Sequence, residues 1–457
     1  MKTETKFKLP AENQHILDQA KAFMTNNMVT ILFIVLSIVG FIAAGMTPFQ
    51  FLFDIVARIS RNSFLVLALI IPVVAGMGPN FSIVLGAMAA QAVVIFVAHW
   101  GMKGVPILGQ TGLPGILLCM VLVIPLALIL GYLTGKLFNK TKGQEMIAGL
   151  ILAFFAQGVY EFIFLQLVGS YIPMENEILV LSQGVGIRTT IDLAPTVRAG
   201  VDWSGLRYAL DWPGMRYGMD TLLRPTLPWT VLVVSLGSVA TYLVAWFGFK
   251  RRFLGSLVKE IPALAVATVL IATSVMVMLD KSSLINMIRI PTLTWSLILL
   301  LCLFMAFFLK TKLGQDMRTV GQDRHVAAVA GIKVDRVRII AIMMSMLMAA
   351  WGHIIFLQNM GAFSTYGSHE QVGLYAVAAL LIGGATVAKA TIGQALLGVF
   401  LFHTLFIISP TAGREIFGDA QIGEYFRVFV AYGVIAVSLV MHVWKTRIQA
   451  RNKPGLS

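Results

Sequence analysis

Apolar runs near the length of a membrane-crossing helix, about 20 residues, follow one another along this chain, separated by short polar segments. They are too long and too continuous for the alternating strands of a membrane β-barrel. The pattern predicts spans over about 28–46, 62–76, 81–99, 113–130, 146–168, 228–249, 262–279, 291–309, 339–356, 374–387, 392–408 and 425–444. The expected fold class is an all-α polytopic membrane protein with about 10–12 transmembrane helices. Two stretches have helical periodicity without a full apolar run. Residues 11–23 predict a short interfacial helix, and Phe49–Arg61 (F-Q-F-L-F-D-I-V-A-R-I-S-R) predicts an amphipathic helix lying on or dipping into the membrane surface. A Gly/Pro break near 76–82, G-M-G-P-N-F-S, separates the second and third spans. Such a break is tolerated only where it is buried in protein or lines a cavity. It reads either as a tight turn of a helical hairpin or as a cavity wall.

Composition agrees with this reading. The chain is 58% hydrophobic and 12% charged, against about 25% charged in a soluble domain. The net charge of +14 does not imply nucleic acid, because the cations sit in loops between spans, where they set topology. With the N-terminus inside, most of the 35 lysines and arginines fall on the cytoplasmic side. Both termini are then cytoplasmic, and the polar insert 173–226 is external. Its five arginines count little in a long translocated loop. The two cysteines, Cys119 and Cys302, both lie in apolar runs and suggest neither a disulfide framework nor a metal site.

A cation-rich polar segment lies between strongly apolar runs at 311–338, T-K-L-G-Q-D-M-R-T-V-G-Q-D-R-H-V-A-A-V-A-G-I-K-V-D-R-V-R. It contains a two-turn helix with its punctuation visible. Asp323 is a good N-cap and Gly331 a good terminator. Val326, Val329 and Ala330 make one face apolar. Two turns of helix do not stand alone in water, so this one is expected to dock on the membrane or on a second protein.

No catalytic set emerges. G-Y-L-T-G-K (Gly131–Lys136) is one residue short of a phosphate loop and lacks the Ser/Thr after its lysine; it reads as a helix end followed by an inside cation. His353 and His403 read as hydrogen-bonding groups between helices. Glu161 is either an intramembrane carboxylate, which marks function by default, or a residue of the outer interface. Gln157 lies four residues before it, on the same helix face. Gln91, Gln157, Tyr160 and Glu161 are candidates for a polar translocation path, with Asn80 and Ser82 at the break. The small number of intramembrane charges suggests that the driving force lies outside the chain.

The segment 311–338, the apolar span after it, and Y-A-V-A-A-L-L-I-G-G-A-T-V-A-K-A-T-I-G (Tyr375–Gly393) resemble permease subunits of bacterial ABC importers. The branch is the one serving ribose, galactose, nucleosides and branched-chain amino acids. The resemblance covers about 309–405. It implies a coupling helix within Gln322–Ile332 that docks on a cytoplasmic ATPase, through Gly321, Gln322, Asp323, Arg324, His325, Val326, Val329 and Gly331. It also implies a second permease subunit, expected to be an identical chain, an extracytoplasmic solute-binding protein, and a place in the bacterial inner membrane. ATP hydrolysis then belongs to the partner, and no cofactor or metal is implied. Of the solutes, a monosaccharide is expected first, then a nucleoside, then a branched-chain amino acid. The family commonly has an acidic G-x-D-L-S-V-G before the third span, where this chain has Gly78, Pro79, Asn80, Phe81 and Ser82. It usually has about ten spans, so the pair near 227–280 reads as extra. The expected organisation is a cytoplasmic leader 1–27, a permease domain 28–445 and a cytoplasmic tail 446–457. An ion-coupled carrier centred on Glu161 is the alternative from a different class, and a membrane-embedded enzyme comes last.

Overall fold

The computed structural model describes residues 24 and 27–419, apart from 103–111, 175–178, 182–184, 195, 202–206, 213, 222 and 250–256. Beyond 419 it describes 421–426, 428–429, 432–433, 436–437, 440 and 444. The interfacial helix expected over 11–23, nearly all of the leader and the C-terminal tail lie outside these residues.

The expected spans appear as helices. They are α1 (Met28–Ala44), α2 (Pro48–Ala68) running on into α3 (Ile70–Val74), α4 (Ile83–Met102), α5 (Gly112–Lys140) and α6 (Glu145–Phe162). Then come α7 (Leu227–Phe249), α8 (Leu257–Leu279) and α9 (Thr292–Phe308), followed by the polar α10 (Lys312–Gln322) and α11 (Arg324–Val329). The remainder are α12 (Val334–Met360), α13 (Ser368–Ile382) and α14 (Ile392–Phe417). Among the described residues, 6 helices are long and apolar enough to cross a membrane, or up to 7 with the bent pair α9–α10. Helices α1, α7 and α8 contribute shorter apolar stretches, and the last expected span is only partly described.

Phe49–Arg61 is helical as expected and runs on into the second span, so that Pro48–Val74 is one 27-residue stretch; its buried residues crowd into Ser63–Val73, and within Phe49–Arg61 they are Ile55, Val56 and Ser60. Thr47 caps its start by accepting from the Gln50 N–H. Amphipathic periodicity shows only that one face is polar. Of the stretch's polar residues Gln50 is exposed, whereas Asp54, Arg58 and Arg61 are half-buried.

Helix α12 is the axis of the bundle, packed against α5, α4 and α2. Its approach to α5 explains G-Y-L-T-G. The helix does not end there but continues to Lys140. A Cβ on Gly131 would come within 2.8 Å of Met343 Cα, and one on Gly135 within 2.9 Å of Ile339 Cα. The glycines, four apart, let two helix backbones meet, as small residues do between membrane helices. The pair α7–α8 packs chiefly on itself and on the 3₁₀ turn Leu284–Met287.

The insert 173–226 contributes the strands that the apolar pattern does not predict. β1 (Thr190–Asp192) pairs antiparallel with β4 (Ala362–Ser364), which follows α12. β2 (Thr196–Val201) and β3 (Arg207–Trp212) form a hairpin. The insert is fastened to the bundle through Asp220, a fully buried carboxylate. It accepts from the Thr294 N–H at 3.0 Å and the Thr294 hydroxyl at 2.7 Å, while Gln358 accepts from the Met219 N–H. Removing one partner strands buried polar groups, at a cost of about 1–3 kcal/mol each. Asp220→Ala is therefore expected to release the insert, read as faster limited proteolysis within 173–226 while the helices stay protected. Unchanged cleavage would show that the strand pairing alone holds it.

The bundle thus has two dissimilar ends. One carries the insert and β4. The other carries the turns near 76–82 and 141–144, the segment 309–333 and the turn 383–391.

Candidate functional site

At the second end the polar segment forms a rigid bracket. Helices α9 and α10 meet at 75°. Thr311 caps α10 by accepting from the Gly314 N–H at 3.3 Å. A Cβ on Gly314 would sit 2.3 Å from the Phe308 carbonyl oxygen, so only glycine fits the inside of the bend. Met317 and Val320 bury the inner face of α10.

Where α10 ends it crosses the Gly/Pro break. A Cβ on Gly321 would meet the Val74 carbonyl oxygen at 2.1 Å, and one on Gly76 would meet Gly321 Cα at 2.7 Å. Gly76 also has φ +74°, a left-handed conformation that glycine adopts without penalty. Asn80 accepts from the Ser82 N–H at 3.0 Å and from its hydroxyl. The break is thus a buried hairpin turn, and its backbone is the seat of the polar segment. Gly321→Ala is expected to lift α10 off this seat in a chain that still inserts, read as faster limited proteolysis within 309–333. Overpacking of this kind costs about 1–3 kcal/mol. Wild-type protease resistance in that variant would contradict the close contact.

Helix α11 follows as its punctuation predicts. The Asp323 carboxylate accepts from the His325 and Val326 N–H groups at 2.7 and 3.0 Å. Those two N–H groups, Val326 first, hold its carboxyl below the ordinary aspartate value. Gly331 terminates the turn with φ +79°. Ala327 faces inward and is buried, whereas Val326 and Val329 are 56% and 78% exposed. Gln322 and His325 are also exposed.

Arg324 does not point outward with them. It donates to Glu145 at 2.8 Å and to the Gly76 carbonyl at 3.2 Å. Glu145, at the start of α6, is nearly buried and also accepts from Arg338 and from the Gly143 N–H. Arg338, near the start of α12, is fully buried and donates as well to the Phe138 carbonyl. One carboxylate therefore joins α11, α6 and the central helix α12, and through Gly76 the turn after α3. Sequence reasoning passed over Glu145 and Arg338. The available signal was that Glu145 is the sole acid between Asp54 and Glu161.

Toward the other end, four of the predicted path residues come together. Gln91 donates to Tyr160 Oη at 3.1 Å and to the Ser364 and Thr365 carbonyls. Its carbonyl oxygen lies 3.3 Å from His353 Nε2 and 3.3 Å from His369 Nδ1. His369 Nε2 also contacts the Gln157 carbonyl oxygen, and Gln157 donates to Glu161 at 2.6 Å. The network links α4, α6, α12 and the start of α13. Asn80 and Ser82 lie at the opposite end, away from this network, and their hydrogen bonds are to each other. His369 escaped the sequence reading because it precedes the apolar run of its helix.

Beside this network lies a cavity of about 410 Å³. Arg58, Arg61 and Asn62 of α2 form one wall, and Tyr375, His403 and Phe406 of α13 and α14 form the opposite one. Ser364, whose carbonyl accepts from Gln91, belongs to the cavity lining as well. None of the six predicted path residues lines this space. The missed signal was Arg58, Arg61 and Asn62 at i, i+3, i+4 on a helix otherwise rich in apolar residues.

Comparison with known proteins gives two findings. Residues 223–439 match the family described as branched-chain amino acid transport system / permease component. The matched stretch includes α7 to α14. A stretch of 159 residues is 29% identical to the xylose transport system permease protein of Haemophilus influenzae. That alignment covers 34% of this chain and 42% of the relative, so the chain spans less than half the length of the curated relative it matches. No solved structure matches.

Proposed function

We propose that this chain, a permease of the branched-chain amino acid transport system family over residues 223–439, is the membrane-spanning subunit of an ATP-driven importer for a small polar solute. A monosaccharide is the first solute class, a reading supported by the name of the xylose permease relative. The observation that carries the proposal is the bracket at α10–α11. It holds a capped helix rigidly to the bundle through Gly321 and Arg324, yet turns Val326 and Val329 outward. Exposed valines on a fixed helix suit an apolar groove on a second protein. In this reading the groove belongs to a cytoplasmic ATPase, and α11 is the coupling helix.

The mechanism follows from the connections. When ATP closes the paired ATPases, α11 moves with them. Gly321 against Val74–Gly76 and Arg324 on Glu145 pass the displacement to α3, α6 and α12. Helices α2 and α12 both line the 410 Å³ cavity, so the displacement changes its access. Two such subunits, identical chains in this reading, work as a pair. An external solute-binding protein delivers the solute on the side carrying the insert, and the cation-rich end faces the cytoplasm. The extra pair α7–α8 lies at the rim, in keeping with its contacts. The test is uptake by proteoliposomes holding the chain and its cognate ATPase. Solute-stimulated ATP hydrolysis is expected, and uptake that persists without ATP would overturn the reading.

A second reading, an ion-coupled carrier, is favoured by the continuous link from Glu161 through Gln157 to His369. It requires uptake that follows an ion gradient and is lost in Glu161→Gln.

A further inference from the structure

We propose that the 410 Å³ cavity takes a solute bearing a negative charge, a sugar acid of monosaccharide size, with Arg61 as the group that selects it. This rests on the importer reading for the cavity's role in transport, but not for the binding itself.

The cavity falls within the ordinary range for small-molecule sites, about 300–1,000 Å³, and its chemistry is one-sided. Two guanidiniums, Arg58 and Arg61, face it together with His403, and no carboxylate is among its lining residues. The Arg58 guanidinium lies over the Phe406 ring, 4.5 Å from its centroid, which fixes it on one wall. Arg61 is held differently. Its Nε donates to the Ala57 carbonyl at 3.2 Å, and its Nη1 reaches only the Met360 sulfur at 3.0 Å. A thioether is a weak acceptor, and among the described residues Arg61 has no ion pair. His403 is buried, and its Nδ1 has no hydrogen-bond partner.

Position sharpens the point. Arg61 lies about 20 Å along the helix from Pro48, within a helix long and apolar enough to cross a membrane, beside Met360 at the insert end of α12. An arginine within such a helix is expensive, and those that occur mark ion or substrate pathways. A guanidinium is fixed, planar and permanently charged, and pairs best with a carboxylate or phosphate in two-point contact. A neutral sugar offers hydroxyls only, for which asparagine, serine and glutamine would suffice. Those residues are also present, as Asn62, Ser368 and Gln371. Together they describe a polyhydroxylated solute with one anionic group.

The test uses the full chain in phosphatidylcholine nanodiscs, with ligand-observed NMR titrations of D-glucuronate and D-glucose. Glucuronate is expected to bind at least about tenfold more tightly than glucose. Arg61→Gln is expected to remove that preference, and Arg61→Lys to retain part of it. Equal affinity of the two sugars in the wild-type chain would overturn the proposal, and this comparison needs no variant to fold. Titration with inorganic phosphate separates charge from shape: phosphate binding as tightly as glucuronate would reduce the site to an anion pocket and overturn the sugar assignment. Repeating the titration with phosphatidylglycerol in the nanodisc identifies the other source of an anion. Complete loss of glucuronate binding there would assign the cavity to a lipid headgroup and overturn the proposal. No ATPase is present in any arm, so a negative result leaves the importer reading intact, and a failed coupling test leaves this result intact.

Discussion

Glu145→Ala will be the most destabilising single substitution at the coupling end, by about 3–5 kcal/mol, the usual cost of removing one partner from a buried ion pair. The carboxylate is 6% exposed, and Arg338, one of its two guanidinium partners, is 0% exposed. Arg324 can turn toward water, since it is 33% exposed; Arg338 cannot. Its Nε and Nη1 are already buried without partners, so losing Glu145 leaves the Phe138 carbonyl as its remaining bond. The measurement is thermal unfolding of the purified chain in detergent, where a fall in midpoint of several degrees is expected. Glu145→Ala combined with Arg338→Met should recover most of that loss, because replacing both charges with apolar groups is often neutral or better. Transport should stay low in the double variant, since α11 has lost its tie to α6 and α12. A single variant as stable as the wild type would mean that the cluster is not the joint described here.

Val329→Asp will have the opposite profile, with no loss of stability and no transport. Val329 is 78% exposed, and surface substitutions away from caps and cores usually stay within about 0.5 kcal/mol. In a docked complex the new carboxylate would be desolvated against an apolar groove, at a cost of several kcal/mol. Since each 1.4 kcal/mol is tenfold, uptake and solute-stimulated ATP hydrolysis should both fall by at least about a hundredfold. Val329→Ile should be nearly silent. Full uptake by Val329→Asp would remove α11 from the coupling path.

Much of this was legible because it is local. Apolar runs place the helices, and Asp323 and Gly331 bound α11 in the sequence as they do in the structure. Long-range pairings were not. Arg324 and Glu145 are 179 residues apart, and Arg338 and Glu145 are 193 apart. Nothing local distinguishes a cation that sets topology from one that closes such a cluster, so Arg324 read as an outward contact. The β1–β4 pairing joins two three-residue strands across the central helices, too short for a period of two to register. Phe49–Arg61 is ambiguous for a different reason. Its polar face is legible, but periodicity does not say which of its residues meet headgroups and which line an internal cavity. The same ambiguity hid Arg58 and Arg61.

The most direct test of the central claim is purification of the tagged chain from native membranes, with ATPase activity assayed in the eluate. The account predicts that an ATPase co-purifies with the wild-type chain and is lost from a Val326→Asp/Val329→Asp variant that still inserts and folds. A chain that elutes without ATPase activity, yet moves solute down an ion gradient in vesicles, would contradict it and shift the driving force to Glu161.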